Sequence, residues 1–312
     1  MQSDGRQVGR FFDLQKKKYE KCLHVGFDCD GKPIRAHSIQ NGKVLDLLQR
    51  ENHVIVPVQR LDQDTGPVTD MKLVGRNEAS TFTGLCANHD RELFRTADTE
   101  PLDVGNAKQL NELAYRAVMR ELHACVEGAY RIDLLHRENV RNGLVDEHAP
   151  NPAMPFWEKG WRVIRYRGTH FDKPAAAGRS PSLIHRIVEL NDQEPTLAAG
   201  ALFSVDHDAT GDIVGPAMTV VPVDAKRTVA VVSYPKKQKA AIERQLADLF
   251  AADQPTQKRT ELSRIVIERM ENFVLSPDFY DGLAANKKKR ILEAYDGSAP
   301  LVAGADFDLF RT

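Results

Sequence analysis

Three of the four cysteines, Cys22, Cys29 and Cys86, fall within the first 90 residues, in the company of His24, His37 and His89. Thiolates and imidazoles gathered around short turns are the donors of a tetrahedral zinc site. A metal held there pins far-apart pieces of chain to one point, and this restricts the fold more than any hydrophobic pattern elsewhere in the sequence.

The spacing supports that reading. Cys86-Ala87-Asn88-His89 places two ligands on one helical turn, while Cys22 and Cys29 face them from a hairpin whose turn is signalled by Asp30-Gly31. The expected zinc ligands are therefore Cys22, Cys29, Cys86 and His89, with His37 an alternative for the fourth place. A structural Zn²⁺ of this type contributes on the order of 10 kcal/mol to folding. Four cysteines without a secretory leader also point to metal in a reducing compartment rather than to disulfides.

At 312 residues the chain has room for about two domains of ordinary size. No apolar run approaches the roughly 20 residues of a membrane span, so a cytoplasmic protein with no membrane partner is expected. Lys plus Arg number 43 against 44 Asp plus Glu, which gives no global pull toward nucleic acid. A nucleic-acid partner, DNA or RNA, would need a local basic patch. Lys16–Lys18 with Lys21, the alternating Arg162, Arg165 and Arg167, and Lys287–Arg290 are the candidates, and each is also compatible with an ordinary solvated surface.

Along the chain, residues 1–104 read as the zinc-binding module and 105–312 as an α+β partner-recognition or regulatory domain. In the first part, His53–Val58 is β-rich, Leu61–Val74 with Gly66-Pro67 reads as a loop, and a helix is expected to carry Phe82, Leu85, Cys86, His89, Leu93 and Phe94 on one face. Leu110, Leu113, Ala114, Ala117, Val118, Leu122, Cys125, Val126 and Ala129 recur at three- and four-residue steps and predict a long amphipathic helix. Cys125 lies on its apolar stripe and reads as core. The stretch from Pro150 to Pro181 reads as a connector with one strand. Four β-rich runs, Ile184–Leu190, Ala199–Val205, Ile213–Val221 and Thr228–Val232, predict an antiparallel meander, followed by helices at Lys236–Ala251, Thr260–Phe273 and Asn286–Tyr295. Strands grouped together with helices around them give an α+β class.

There is no GxxxxGK loop, GxGxxG, GxSxG or HExxH, so ordinary nucleotide-binding and serine-hydrolase chemistry is not supported. Ala36-His37-Ser38-Ile39 at a strand end, then an Asn, then Gly84-Leu85-Cys86-Ala87-Asn88-His89-Asp90-Arg91-Glu92-Leu93-Phe94, resembles the HNH group of His-Me finger endonucleases over roughly residues 18–100. The resemblance implies a treble-clef-like ββα metal module. It implies His37 as general base on a water, Asn77 orienting its ring, and His89 or Asp90 holding a catalytic Mg²⁺ or Mn²⁺ against the scissile phosphate. If His89 is spent on zinc, Asp90 alone is left for that ion. Two functions are thus expected: a metal-dependent endonuclease of HNH type, as in bacterial defence, or a non-catalytic zinc-stabilised binding or sensing subunit that meets a protein partner or a second copy of itself.

Overall fold

The computed structural model describes residues 9–10, 12–14, 16–62, 66–297 and 307–311. Its centre is a seven-stranded antiparallel sheet in the order β3-β2-β11-β6-β9-β10-β5. The strands are β2 (His53–Asp62), β3 (Gly66–Gly75), β5 (Leu183–Asn191), β6 (Leu197–Leu202), β9 (Ala217–Pro222), β10 (Arg227–Pro235) and β11 (Phe273–Leu275). Two small pairs stand apart: β1 (Ala36–His37) with β4 (Thr81–Phe82), and β7 (Asp206–His207) with β8 (Ile213–Val214).

The interior strands are covered on both faces, which explains why β10 reads as an almost unbroken apolar run rather than an alternating one. Ala230, Val232 and Tyr234 point to one side, into a core shared with Leu262, Ile265 and Val266. Val229 and Val231 point to the other, against Leu110. The first side is closed by α6 (Pro255–Arg269), α7 (Pro277–Gly282) and α8 (Ala285–Tyr295), with α4 (Lys239–Gln245) and α5 (Ala247–Ala251) beside them. Across the second side lies α2 (Ala107–Arg141), 35 residues and thus about 50 Å long. Asn106 caps it, its side chain accepting from Lys108 N at 3.1 Å and Gln109 N at 3.3 Å.

A second core forms where α2 meets α1 (Ala87–Thr99) and α3 (Met154–Arg167). It combines Phe94, Ala114, Val118, Leu122, Val126, Val163 and Tyr166 with Cys22, Leu23, Leu85 and Cys86. Strands from both sides of residue 104 therefore share one sheet, since β11 pairs with β2 and with β6.

Several elements differ from the sequence expectation. Leu61–Val74, expected as a loop, contributes most of β3, paired with β2 from His53↔Gly75 to Asp62↔Gly66. The region around Arg162, Arg165 and Arg167 is helix, not strand: Pro155 stands in the first turn of α3, where its missing N–H costs nothing. The α+β antiparallel architecture is present, but its C-terminal strands are not a simple meander, because β5 lies beside β10 and not beside β6. Phe273 ends the run after α6 as a strand residue, not a helical one. Among the described residues no helix is long and apolar enough to cross a membrane.

Candidate metal centre

The segment between Cys22 and Cys29 is a tight knuckle. Phe27 N donates to His24 O at 3.1 Å, and Gly26 and Phe27 both have left-handed backbone, at φ 86° and 56°. It is sewn to the residues before α1 by Leu23 N to Gly84 O and Ile34 N to Leu85 O, both 2.8 Å, and by a Pro33↔Cys86 bridge. Cys86 is the extended residue capping α1, so it and His89 share that helix's first turn.

This folding brings Cys22, Cys29, Cys86 and His89 together, with one ligand atom from each lying within 4.8 Å of all the others. His89 Nδ1 is 3.4 Å from both Cys22 Sγ and Cys86 Sγ, and Cys29 Sγ is 3.9 Å from Cys86 Sγ. With Zn–S bonds of about 2.3 Å, the edge of a tetrahedron is about 3.8 Å, so the donor spacing fits zinc. The donor types agree, since three soft thiolates and an imidazole suit zinc and not magnesium or calcium. The group could hold a metal ion such as zinc. All four donors come from protein, which leaves no open position of the kind catalytic zinc requires.

The surroundings prepare the sulfurs for that role. Cys86 N donates to Cys22 Sγ and Gly31 N to Cys29 Sγ, each at 3.3 Å. The backbone N–H of His89, at the start of α1, lowers the pKa of the Cys86 thiol, whereas burial raises that of Cys22. A Cβ on Gly31 would lie 2.9 Å from Cys86 Cβ and 3.2 Å from Cys29 Sγ, so only glycine lets the chain pass between the two ligands. His24 is not a ligand; its ring stacks on His89 at 3.6 Å between centroids and 7° between planes. Arg167 is 2% exposed and joins the knuckle to α3, donating to Leu23 O at 2.5 Å and to Asp172 Oδ2 at 2.9 Å. Tyr115 Oη donates to the same carboxylate at 3.0 Å.

The remaining expected site residues lie apart from this group. His37, on β1, is half-buried, with Nε2 3.1 Å from Arg76 O, and burial lowers its pKa. Asn77 is exposed and accepts from Asn41 Nδ2 at 2.8 Å, so its side chain does not orient His37; the neighbouring carbonyl of Arg76 touches that ring instead. Asp90 is half-buried, and burial raises its pKa against the influence of Arg116. Among the described residues Cys22, Cys29, Cys86 and His89 form the only group of three or more metal-ligating side chains.

Sequence reasoning did not assign roles to Gly31 or Arg167. Asp30-Gly31 was legible as a turn, but the close passage between two sulfurs depends on Cys86, far along the chain. Arg167 carried no signal beyond belonging to a basic run. No protein-family model, curated protein or solved structure matches the chain.

Proposed function

We propose that the protein is a zinc-stapled, non-catalytic binding or sensing subunit, in which the metal fixes the fold and takes no part in a reaction. One observation carries this reading: His89 points Nδ1 at two cysteine sulfurs, so the imidazole that a nuclease would need for its catalytic ion is committed to the Cys₃His group. Asp90 is then left without a companion ligand, and a single carboxylate holds Mg²⁺ weakly. Purified protein is expected to contain one zinc per chain by elemental analysis and to leave plasmid DNA and structured RNA intact in Mg²⁺ or Mn²⁺.

The endonuclease reading keeps one observation in its favour. His37 stands at a strand end with its ring tied to a backbone carbonyl and its pKa lowered by burial, so it is neutral near pH 7, as a general base must be. Degradation of nucleic acid that disappears in His37→Ala, with zinc content and helicity unchanged, would establish that reading and remove the non-catalytic one.

A further inference from the structure

Away from the metal centre, a cleft of about 450 Å³ opens between α2, α3 and the end of β6, closed below by the turn from α6 into β11. Its volume is that of a small-molecule site. Four cations and four carboxylates line it, and most of them neutralise one another. Lys159 Nζ lies 2.6 Å from Glu121, Arg162 pairs with Glu158 at 2.5 Å, and Glu268 shares Arg264 outside the cleft, at 3.3 Å, with Glu261 at 2.8 Å.

Three charges remain. Arg120, half-buried on α2, and Arg269, exposed in the last turn of α6, make no hydrogen bond or ion pair among the described residues, and the Glu271 carboxylate makes none either. Among these unpaired groups guanidiniums outnumber the carboxylate two to one, and their planar forks match the two oxygens of a carboxylate or phosphate. The Arg120 guanidinium is half-buried and its N–H donors have no protein acceptor among the described residues, so they are free to take an external anion. The rest of the wall suits the remainder of such a molecule. Leu202 and Phe203 supply apolar surface, and Asn272 stands at the floor, already bonded through Nδ2 to Gly200 O at 2.9 Å.

We propose that this cleft binds a small organic oxyanion, its charged head held by Arg120 and Arg269 and its apolar body resting on Leu202 and Phe203. The inference goes beyond the zinc reading and does not depend on it, because none of the metal-centre residues lines the cleft.

Three probes with one body and different heads test it on the full-length, zinc-loaded protein by ligand-observed NMR titration: benzoate, phenyl phosphate and benzyl alcohol. At least one of the two acids is expected to bind about tenfold or more tightly than the neutral alcohol, and that preference should fall about tenfold in Arg120→Gln and in Arg269→Gln. Preference for benzoate alone identifies a carboxylate ligand, and preference for phenyl phosphate alone a phosphate monoester. Glu271→Gln should tighten the acid, since it removes the one free competing carboxylate. Arg269 is exposed, so its variant keeps the test valid even if Arg120→Gln folds poorly. Equal binding of acids and alcohol, no binding of any probe, or undiminished acid binding in Arg269→Gln together with a folded Arg120→Gln would overturn the proposal.

Discussion

The metal corner and the seven-stranded sheet hold themselves together by different means. In the corner, β1 and β4 are two residues each and the knuckle has no strand, and Val25, Phe27 and Ile34 remain 43%, 40% and 38% exposed. In the sheet, β6 is buried along its whole length and β10 along nearly all of it, with Leu197, Val232 and Phe273 at 2% exposure or less. Apolar burial at about 25 cal/mol per Å² can account for the second region, whereas in the first it acts on the side of the corner that packs Leu23, Phe82 and Leu85 against α2 and leaves the knuckle tip to other means. A metal held by the four converging donors would do at that tip what side-chain packing does in the sheet, and the two regions should then fail under different treatments.

The sharpest way to break that contrast is to take away the metal. Chelation, or Cys86→Ser, is expected to cost the corner on the order of 10 kcal/mol and to unfold it. Hydrogen exchange should then rise across the knuckle and α1 while β6, β9 and β10 stay protected; loss of protection in both regions together would show that they are one cooperative unit. Next in size is Arg167→Ala, which leaves half-buried Asp172 with only its Tyr115 hydrogen bond and should cost about 3 kcal/mol, with zinc affinity falling alongside because Leu23 loses its tether. In the sheet core, Leu262→Ala should cost about 2–5 kcal/mol in urea unfolding and leave zinc content unchanged.

The most gradual effect is acid sensitivity at the joint between the regions. His123 on α2 shares a hydrogen bond with Thr83 at 3.2 Å, and burial pushes its pKa down to about 3, from an ordinary 6.5. Glu127 lies 3.7 Å from it, but the neutral imidazole makes no ion pair there, and the Glu127 carboxylate pairs with Arg131 at 2.8 Å instead. A histidine whose folded pKa is depressed leaves stability intact above pH 6.5. Below that the unfolded chain binds the extra proton, and stability falls until the folded pKa near 3 is reached. The slope is at most about 1.4 kcal/mol per pH unit. His123→Phe should flatten this part of the urea midpoint against pH; an unchanged slope would place the acid sensitivity elsewhere.

How much of this was legible in the sequence varies with what each element rests on. The 3.6-residue recurrence from Leu110 to Ala129 is a local property, so α2 could be read directly, although the structure extends it to Arg141. The Cys22, Cys29, Cys86 and His89 group was legible from donor type and the spacing of Cys86 and His89, while bringing His89 and not His37 into it required the knuckle and α1 to be placed together. The β3 strand was hidden because it is an edge whose residues are half-exposed, so the alternation that marks a strand is blurred. The α3 segment read as a connector because Pro, Gly and Trp crowd it, but Pro155 falls in the first turn, where it suits a helix. The placement of β5 next to β10 depends on long-range pairing that no local pattern encodes.

The β2–β3 hairpin departs from the corner after β1 and returns to it just before β4, and at its base Arg76 N donates to Asn52 O at 2.8 Å. Cys29 and Cys86 are 57 positions apart, but with the hairpin zipped the backbone separating them behaves as a much shorter tether. Ring-closure entropy for capturing the ion is correspondingly reduced. Assembly should then run in a fixed order, with the hairpin forming before the ion is gripped, and loosening its base would slow metal uptake without touching a single ligand.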